Sequence, residues 1–537
     1  MKTIIHTLLF TIAACVSIQS QAQILTNSNL PIVKINTNGN TIVDEPKVEV
    51  SFQIINNGTG LMNNINDFPN AYDGYCGIEF RGNSTQGFEK KTYSIELHTN
   101  LGVDTSASLL GMGAEEDWIL HAMVIDKSQI RIPMSFYMSQ QMGHYASNWR
   151  YVEVVLDGDY RGVYILVEKI KRDKNRVDIA KLDADDLAGD SLTGGYILRI
   201  DWLDAPQGFS SNYTSQSGDP MFFQWYYPKA SKIKPQQAGY IEDWMDSFEE
   251  ALYANNYSNS QGKRYTELIE VNSFTDFLIM NELSKNSDGY KLSSYVHKNK
   301  FSKGGKLVAG PIWDFDQTYG VSEVCSNDDY TGWTYLQNQN DCEDLESMPM
   351  WWQTMMGDDI FKNRLKCRWE LLRQGVLHKD SINLWIDNQT NNISDAIGRN
   401  FIKWDNFIGQ SIWIEPSPIP QSYAEEISTM KDWISNRIDW IDANLPGNCS
   451  QDTPVEITEN RINNIEIFPN PANNLLWITT EDFSQLSIYS IQGKLVESHA
   501  IIRGNQLISV ASFTPGYYLF EFKSDSGMKS IYNIVIE

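Results

Sequence analysis

The feature that most constrains this chain is a change in the period of its apolar residues near residue 201. Before that point they alternate. Val48-Glu49-Val50-Ser51-Phe52-Gln53-Ile54 and Tyr93-Ser94-Ile95-Glu96-Leu97 each send every second side chain to one face, the signature of half-buried strands. Tyr151–Leu156 and Val163–Glu168 flank Asp157-Gly158, a strong hairpin signal, and residues 194–201 add a further strand. Lys127–Met142 is the exception, a predicted helix whose Pro133 fits only near the first turn or at a kink. After residue 201 the spacing is helical over 236–256, 271–285, 360–373 and 423–445. Phe361, Leu365, Trp369 and Leu372 form one stripe; Ile427, Met430, Ile434, Ile438 and Ile441 form another, and such stripes pack cores. The order predicts an α+β domain with a β-rich first half and a helical second half. After Cys449 the polar, proline-bearing stretch 450–460 is an expected linker. Short strands with turn signals at Asn470-Pro471, Pro515-Gly516 and Ser526-Gly527 then predict a small all-β sandwich of about seven strands over 461–537.

Residues 1–22 have the form of a secretory signal: Lys2, an apolar run from Ile4 to Ile18, and Ser20-Gln21-Ala22 as the cleavage site. Ile12-Ala13-Ala14-Cys15 offers a competing lipoprotein reading. Residues 23–449 are the expected main domain. No later stretch is long and apolar enough to predict a transmembrane helix. Cleavage after Ala22 leaves five cysteines, so at least one stays unpaired. Cys325 and Cys342 bracket a polar loop and are the expected disulfide pair. A net charge of -25 argues against nucleic acid as a partner. There is no H-E-x-x-H zinc motif, no G-x-x-x-x-G-K-[ST] phosphate loop and no G-x-S-x-G elbow.

Chemistry concentrates around Gly310-Pro311-Ile312-Trp313-Asp314-Phe315-Asp316. Residues 294–300 predict a strand, Lys303-Gly304-Gly305 a turn and Lys306–Ile312 the returning strand. Asp288 precedes the first strand and Asp314 follows the second, so the open end of a hairpin would gather Asp288, Asp314 and Asp316. Hard oxygen ligands with one carboxylate free to take a proton suit divalent-metal and phosphate chemistry. Acidic residues beside a glycine turn are also commonly helix caps or solvated loop charges.

Several segments, in order, resemble the CotH kinase family, atypical protein kinases named for the spore-coat protein H. They are Gly77–Thr85 with Lys90-Lys91-Thr92-Tyr93, Asp157–Glu168, Gly194-Gly195-Tyr196, Asn281–Asp288 and Gly310–Asp316, within residues 30–446. The resemblance implies a two-lobed, atypical protein-kinase-like fold with ATP between the lobes. It implies transfer of the ATP γ-phosphoryl group to a protein hydroxyl, with Mg²⁺, or Mn²⁺ in its place. By resemblance, Asp288 takes the acceptor proton, Asp314 holds the metal with Asp316 as a second candidate, and Lys91 contacts the nucleotide phosphates with Lys90 as substitute. Strand alternation puts Lys91 on the face of Tyr93 and Ile95, and Glu168 is its expected partner. Arg81 and Arg131 could reach phosphate, although a structural salt bridge is the expected role of each. Ordinary kinases carry H-R-D-x-x-x-x-N; here no His-Arg precedes Asp288, and Ser293 stands fifth after it.

The C-terminal module resembles the type A sorting domain of the type IX secretion system of Bacteroidetes, through Ile467–Ala472, Ile488-Tyr489, Gly493-Lys494 and Gly516–Leu519. That implies the type IX machinery as a partner and a secreted or outer-membrane surface location. Two other functions fit the residues: a non-catalytic surface-binding protein on the same fold, and a polysaccharide-active enzyme whose tryptophans stack on sugars.

Overall fold

The computed structural model describes residues 25–203, 207–339, 348–449 and most of 465–536, without 469–471, 473, 481–483, 491–493, 502–503 and 525–528. The expected signal peptide with Cys15, the 450–460 linker and Cys342 lie outside the described residues. The chain divides into two compact units, Met1–Gln451 and Asp452–Glu537.

In the first unit seven strands close into a barrel: β1 (Ile32–Asn36), β2 (Val48–Ile55), β3 (Tyr72–Arg81), β4 (Thr92–His98), β5 (Asp117–His121), β6 (Trp149–Leu156) and β7 (Asp159–Glu168). Their order is β1-β2-β3-β4-β5-β7-β6. A parallel pairing closes it, Ile32–Ile35 of β1 against Glu153–Leu156 of β6. The alternating residues fill it: Phe52, Ile54, Ile78, Trp118 and Leu166 are fully buried. Asp157 and Gly158 both take positive φ, 50° and 81°, the turn that matches the twist of a two-residue hairpin. Helix α1 (Arg131–Gln141) follows β5, with Pro133 in its first turn as the sequence requires.

A second, antiparallel sheet joins β8 (Tyr196–Ile200), β9 (Gly208–Thr214), β10 (Pro220–Tyr227), β11 (Ser294–Lys298) and β12 (Leu307–Ala309), in the order β9-β10-β8-β11-β12. It draws strands from both halves of the chain, so the expected switch from sheet to helix at residue 201 is too simple. Strand β10 carries half-buried aromatics on both faces and gives no clean alternation. Helices α2 (Pro235–Tyr253), α3 (Val271–Ser284), α4 (Asp359–Leu372), α5 (Lys379–Lys403) and α6 (Tyr423–Asn444) complete the unit. The two expected apolar stripes on α4 and α6 are buried.

Helix α3 positions the site. Every residue from Ser273 to Ser284 is buried, as suits a central helix. Glu270 caps its start by accepting from Asn272 N and Ser273 N. Lys285 ends it in the left-handed conformation, φ 44°. The chain then runs through Asn286–Ser293 directly into β11.

Cys367 on α4 is bonded to Cys449, 82 residues on, a pairing the sequence reading did not single out. Cys325 is also disulfide-bonded, and Cys342, the partner expected for it, lies outside the described residues. Cys76 is free and buried inside the barrel wall. A disulfide closing so long a loop removes much unfolded-chain entropy. Cys367→Ser is expected to cost about 2–4 kcal/mol, read as a lower midpoint in denaturant unfolding of the oxidised protein.

The second unit has two antiparallel sheets. One contains Glu466–Phe468, Leu475–Thr480 and Gly504–Ser509; the other contains Ser484–Ser490, Leu495–Ile501, Gly516–Ser524 and Lys529–Ile536. Both contribute to one core, with Leu476 and Ile478 from the first and Leu486, Ile488, Phe520 and Phe522 from the second fully buried. This is the expected all-β module. Among the described residues, no helix is long and apolar enough to cross a membrane.

Candidate functional site

The hairpin expected around residue 304 forms. Val296 pairs with Ala309 and Lys298 with Leu307, and Gly310 N donates to Tyr295 O at 2.8 Å. At its open end Ser293 Oγ donates to Asp314 Oδ2 at 3.3 Å. Asp316 is buried, and Asp314 is partly so. Burial, and after it the charges of Asp314, Asp288 and Asp126, push the Asp316 carboxyl well above the usual carboxylate range. Burial and then the charge of Asp201 push Asp314 up as well, with the Ser293 hydrogen bond and Arg81 opposing. Asp314 and Asp288 therefore both lie within electrostatic reach of Asp316.

The local backbone is strained at these same places. Lys285, Tyr290, Ser293 and Asp314 all take positive φ, 44°, 72°, 46° and 65°. Non-glycine residues hold that conformation only when surrounding structure enforces it, and such residues cluster at functional sites. Gly289 is required by close approach. A Cβ there would meet Asn281 Oδ1 at 2.5 Å.

One rim of the barrel faces this cluster. Arg81 ends β3, Thr92 begins β4 and His121 ends β5; Ala122 N donates to Thr92 Oγ1 at 3.0 Å. His121 joins Asp314 and Asp316, with ligand atoms within 4.8 Å of one another. The sequence reading missed it, because a lone histidine at a strand end carries no spacing signal. Burial, then the charges of Arg81 and Lys90, lower its imidazole to about 3, so it is neutral. Its Nδ1 accepts from Met123 N at 3.0 Å, which leaves the ring proton on Nε2. His121 is thus arranged to donate a hydrogen bond rather than a lone pair. Arg81 sits 6.0 Å from the Trp313 ring centroid and, among the described residues, forms no ion pair, contrary to the salt bridge expected for it. Arg131 does have the structural role expected of it, bound to Asp126 at 2.6 Å and Glu426 at 2.8 Å.

The lysines reverse the expected order. Strand β4 begins at Thr92, so strand alternation does not extend back to residues 90 and 91. Lys90 is the inward one, 1% exposed, donating to Val163 O at 2.7 Å and Gln129 Oε1 at 3.3 Å, with its ammonium 5.0 Å from the Tyr164 ring centroid. Burial pushes it down to about 7, opposed by Asp126. Lys91 turns outward, donating to Gln86 O and lying 5.5 Å from the Phe80 ring centroid, in a surface pocket with Arg161 and Lys403. Glu168 does not pair with Lys91. It accepts from Asn148 N and Nδ2 at 3.0 Å and from Tyr145 Oη at 3.1 Å. The register explains this: Glu168 lies opposite Trp118, near the start of β5, whereas Thr92 adjoins Ala122, just past its end.

Among the described residues no lysine or arginine forms an ion pair with Asp314 or Asp316. Asp316, buried and pushed up by the charges of Asp314 and Asp288, and the partly buried Asp314 form a hard-oxygen donor set suited to a divalent cation. With Lys90, Arg81 and His121 supplying positive charge and a hydrogen-bond donor nearby, an anionic ligand has partners as well.

Fold and cluster together define an α+β protein with an acidic site at one rim of a β-barrel. The chain belongs to the CotH kinase protein family, which it matches over residues 78–441. Residues 466–537 match the secretion system C-terminal sorting domain, which marks the protein for secretion or attachment at the cell surface. No curated protein matches the chain. Deleting residues 461–537 is expected to leave a folded first unit retained in the cell envelope; immunoblots of medium, surface and envelope fractions check this, and appearance of the truncated chain outside would contradict it.

Proposed function

We propose that the first unit is a protein kinase that uses ATP with Mg²⁺, or Mn²⁺, and phosphorylates a protein hydroxyl. The observation that carries this reading is the convergence of Asp288, Asp314 and Asp316 opposite the barrel rim that bears Lys90, Arg81 and His121. In it the barrel is the smaller lobe, the second sheet and α2–α6 the larger, and the nucleotide lies between them. Asp288 orients the acceptor hydroxyl and takes its proton as that oxygen bonds to the γ-phosphorus. The bond from phosphorus to the bridging oxygen breaks, and ADP leaves with that electron pair. Asp314 and Asp316 hold the metal, which when bound neutralises phosphate charge. Lys90, rather than Lys91, contacts the phosphates from the barrel side, and Arg81 does so from the rim. His121 donates from Nε2 toward the carboxylates or a phosphate oxygen. The type IX machinery is the partner in export.

Nucleotide titrations separate these roles. Asp314→Asn is expected to weaken Mg-dependent ATP binding by about tenfold or more, since one hard ligand is lost. Lys90→Met keeps the apolar volume of a buried stem and is expected to weaken it similarly, whereas Lys91→Met changes it less than about threefold. Equal losses from Lys90→Met and Lys91→Met would remove the choice of Lys90. If no phosphate is transferred to generic acceptors or to the chain itself, the surface-binding alternative takes its place.

A further inference from the structure

A second cavity of the first unit, about 670 Å³, opens between α1, the start of β6 and α5, beside the loop at Asn56–Gly60. Its size is that of a small-molecule site. We propose that it binds a short oligosaccharide.

Three observations carry this. The lining holds no aspartate or glutamate, in a chain with 68 acidic residues against 43 basic ones. Its polar groups are mainly side-chain amides, which match sugar hydroxyls by donating and accepting at once. Gln389 and Asn392 project from α5, and among the described residues neither side chain has a hydrogen-bond partner; Asn392 gives only its backbone carbonyl, to Asn29 Nδ2 at 2.7 Å. The third observation is a rigid aromatic wall. Tyr137 stacks on Trp385 with centroids 5.1 Å apart and planes at 19°. Trp149 stands edge-on to Tyr151 at 5.1 Å and to Trp385 at 6.4 Å. Tyr137 and Trp149 are half-buried, so part of each remains open to the cavity.

A pyranose ring has one face rich in C–H groups and an edge of hydroxyls. The electron-rich face of an aromatic ring attracts the first, and amides serve the second. Locked aromatic rings lose little conformational entropy on binding. Arg150, also in the lining, donates NH1 to Trp149 O at 2.7 Å. None of Asp288, Asp314 or Asp316 lines this cavity, so the site is separate from the proposed kinase centre and does not depend on it. A protein exported to the cell surface meets glycans there.

The test uses the full mature chain with cello-, xylo-, laminari-, manno-, malto- and chitohexaose, each titrated to about 10 mM and followed by tryptophan fluorescence and calorimetry. At least one is expected to bind with Kd in the range of about 10 μM to 1 mM. Gln389→Ala with Asn392→Ala, at one half-buried and one exposed helix position outside the core, is expected to weaken it about tenfold, the equivalent of two neutral hydrogen bonds. Trp149→Ala is expected to abolish binding, with circular dichroism to confirm that the chain is folded. Asp288→Asn is expected to bind the sugar unchanged. Absence of binding by all six sugars overturns the proposal, as does a bound sugar whose affinity is unaffected by the Gln389/Asn392 double substitution.

Discussion

Asp288→Asn is expected to lower phosphoryl transfer by about 10²–10⁴-fold while changing ATP affinity by less than about threefold. The amide has nearly the shape of the carboxylate but does not accept the hydroxyl proton. Asp288 stands near the start of the Asn286–Ser293 segment that α3 delivers, its backbone N donating to Asn286 Oδ1 at 3.2 Å and its carbonyl accepting from Leu292 N at 2.9 Å. Both of these hydrogen bonds end on the Asp288 backbone, which the substitution keeps. The measurement is single-turnover transfer from radiolabelled ATP alongside a binding titration on the same preparation. Loss of both together would place Asp288 among the metal ligands instead.

The largest stability effect is expected at Arg437. Its guanidinium is fully buried and donates to Glu282 O at 2.7 Å, Glu282 Oε2 at 3.2 Å, Tyr330 O at 2.9 Å and Gly332 O at 2.7 Å. Glu282 also accepts from Thr334 N and Tyr335 N at 2.8 Å. One ion pair thus ties α6 and the 330–335 segment to the helix that leads to Asp288. Arg437→Met leaves Glu282 as a buried charge without its cation and is expected to cost about 3–5 kcal/mol. Chemical denaturation monitored by tryptophan fluorescence reads this directly. Glu282→Gln with Arg437→Met is expected to recover part of the loss, because the uncompensated charge is then gone.

Local periodicity made much of this fold legible and left the long-range closures out of sight. Strands β2 and β4 follow from alternation, β6 and β7 from the Asp157-Gly158 turn between two apolar runs, and α3, α4 and α6 from their helical spacing. The barrel does not follow, since β1 meets β6 across more than a hundred residues and nothing in Ile32–Ile35 names that partner. Helix α5 escaped because Asp387–Asn392, a polar run of weak helix formers, interrupts the stripe of Ile382, Ile386, Ile393 and Ile397. The carboxylate gathering was legible, for a hairpin fixes its own open end. The barrel side of the site was not. Which lysine turns inward depends on where β4 begins, and a one-residue difference exchanges the faces. His121 and Arg81 reach the cluster through closure of the barrel, which the sequence does not announce, and the partner of Cys367 likewise lay too far along the chain to be chosen by spacing.

The central claim, that the carboxylates and the barrel rim together form a metal-dependent nucleotide site, is tested most directly by titrating the purified mature protein with ATP, with and without Mg²⁺, by calorimetry. Saturable binding is expected in Mg²⁺ or Mn²⁺, falling by about tenfold or more in chelator and in Asp314→Asn. Absence of binding at millimolar ATP with either metal, or binding indifferent to both metal and Asp314, would contradict the account.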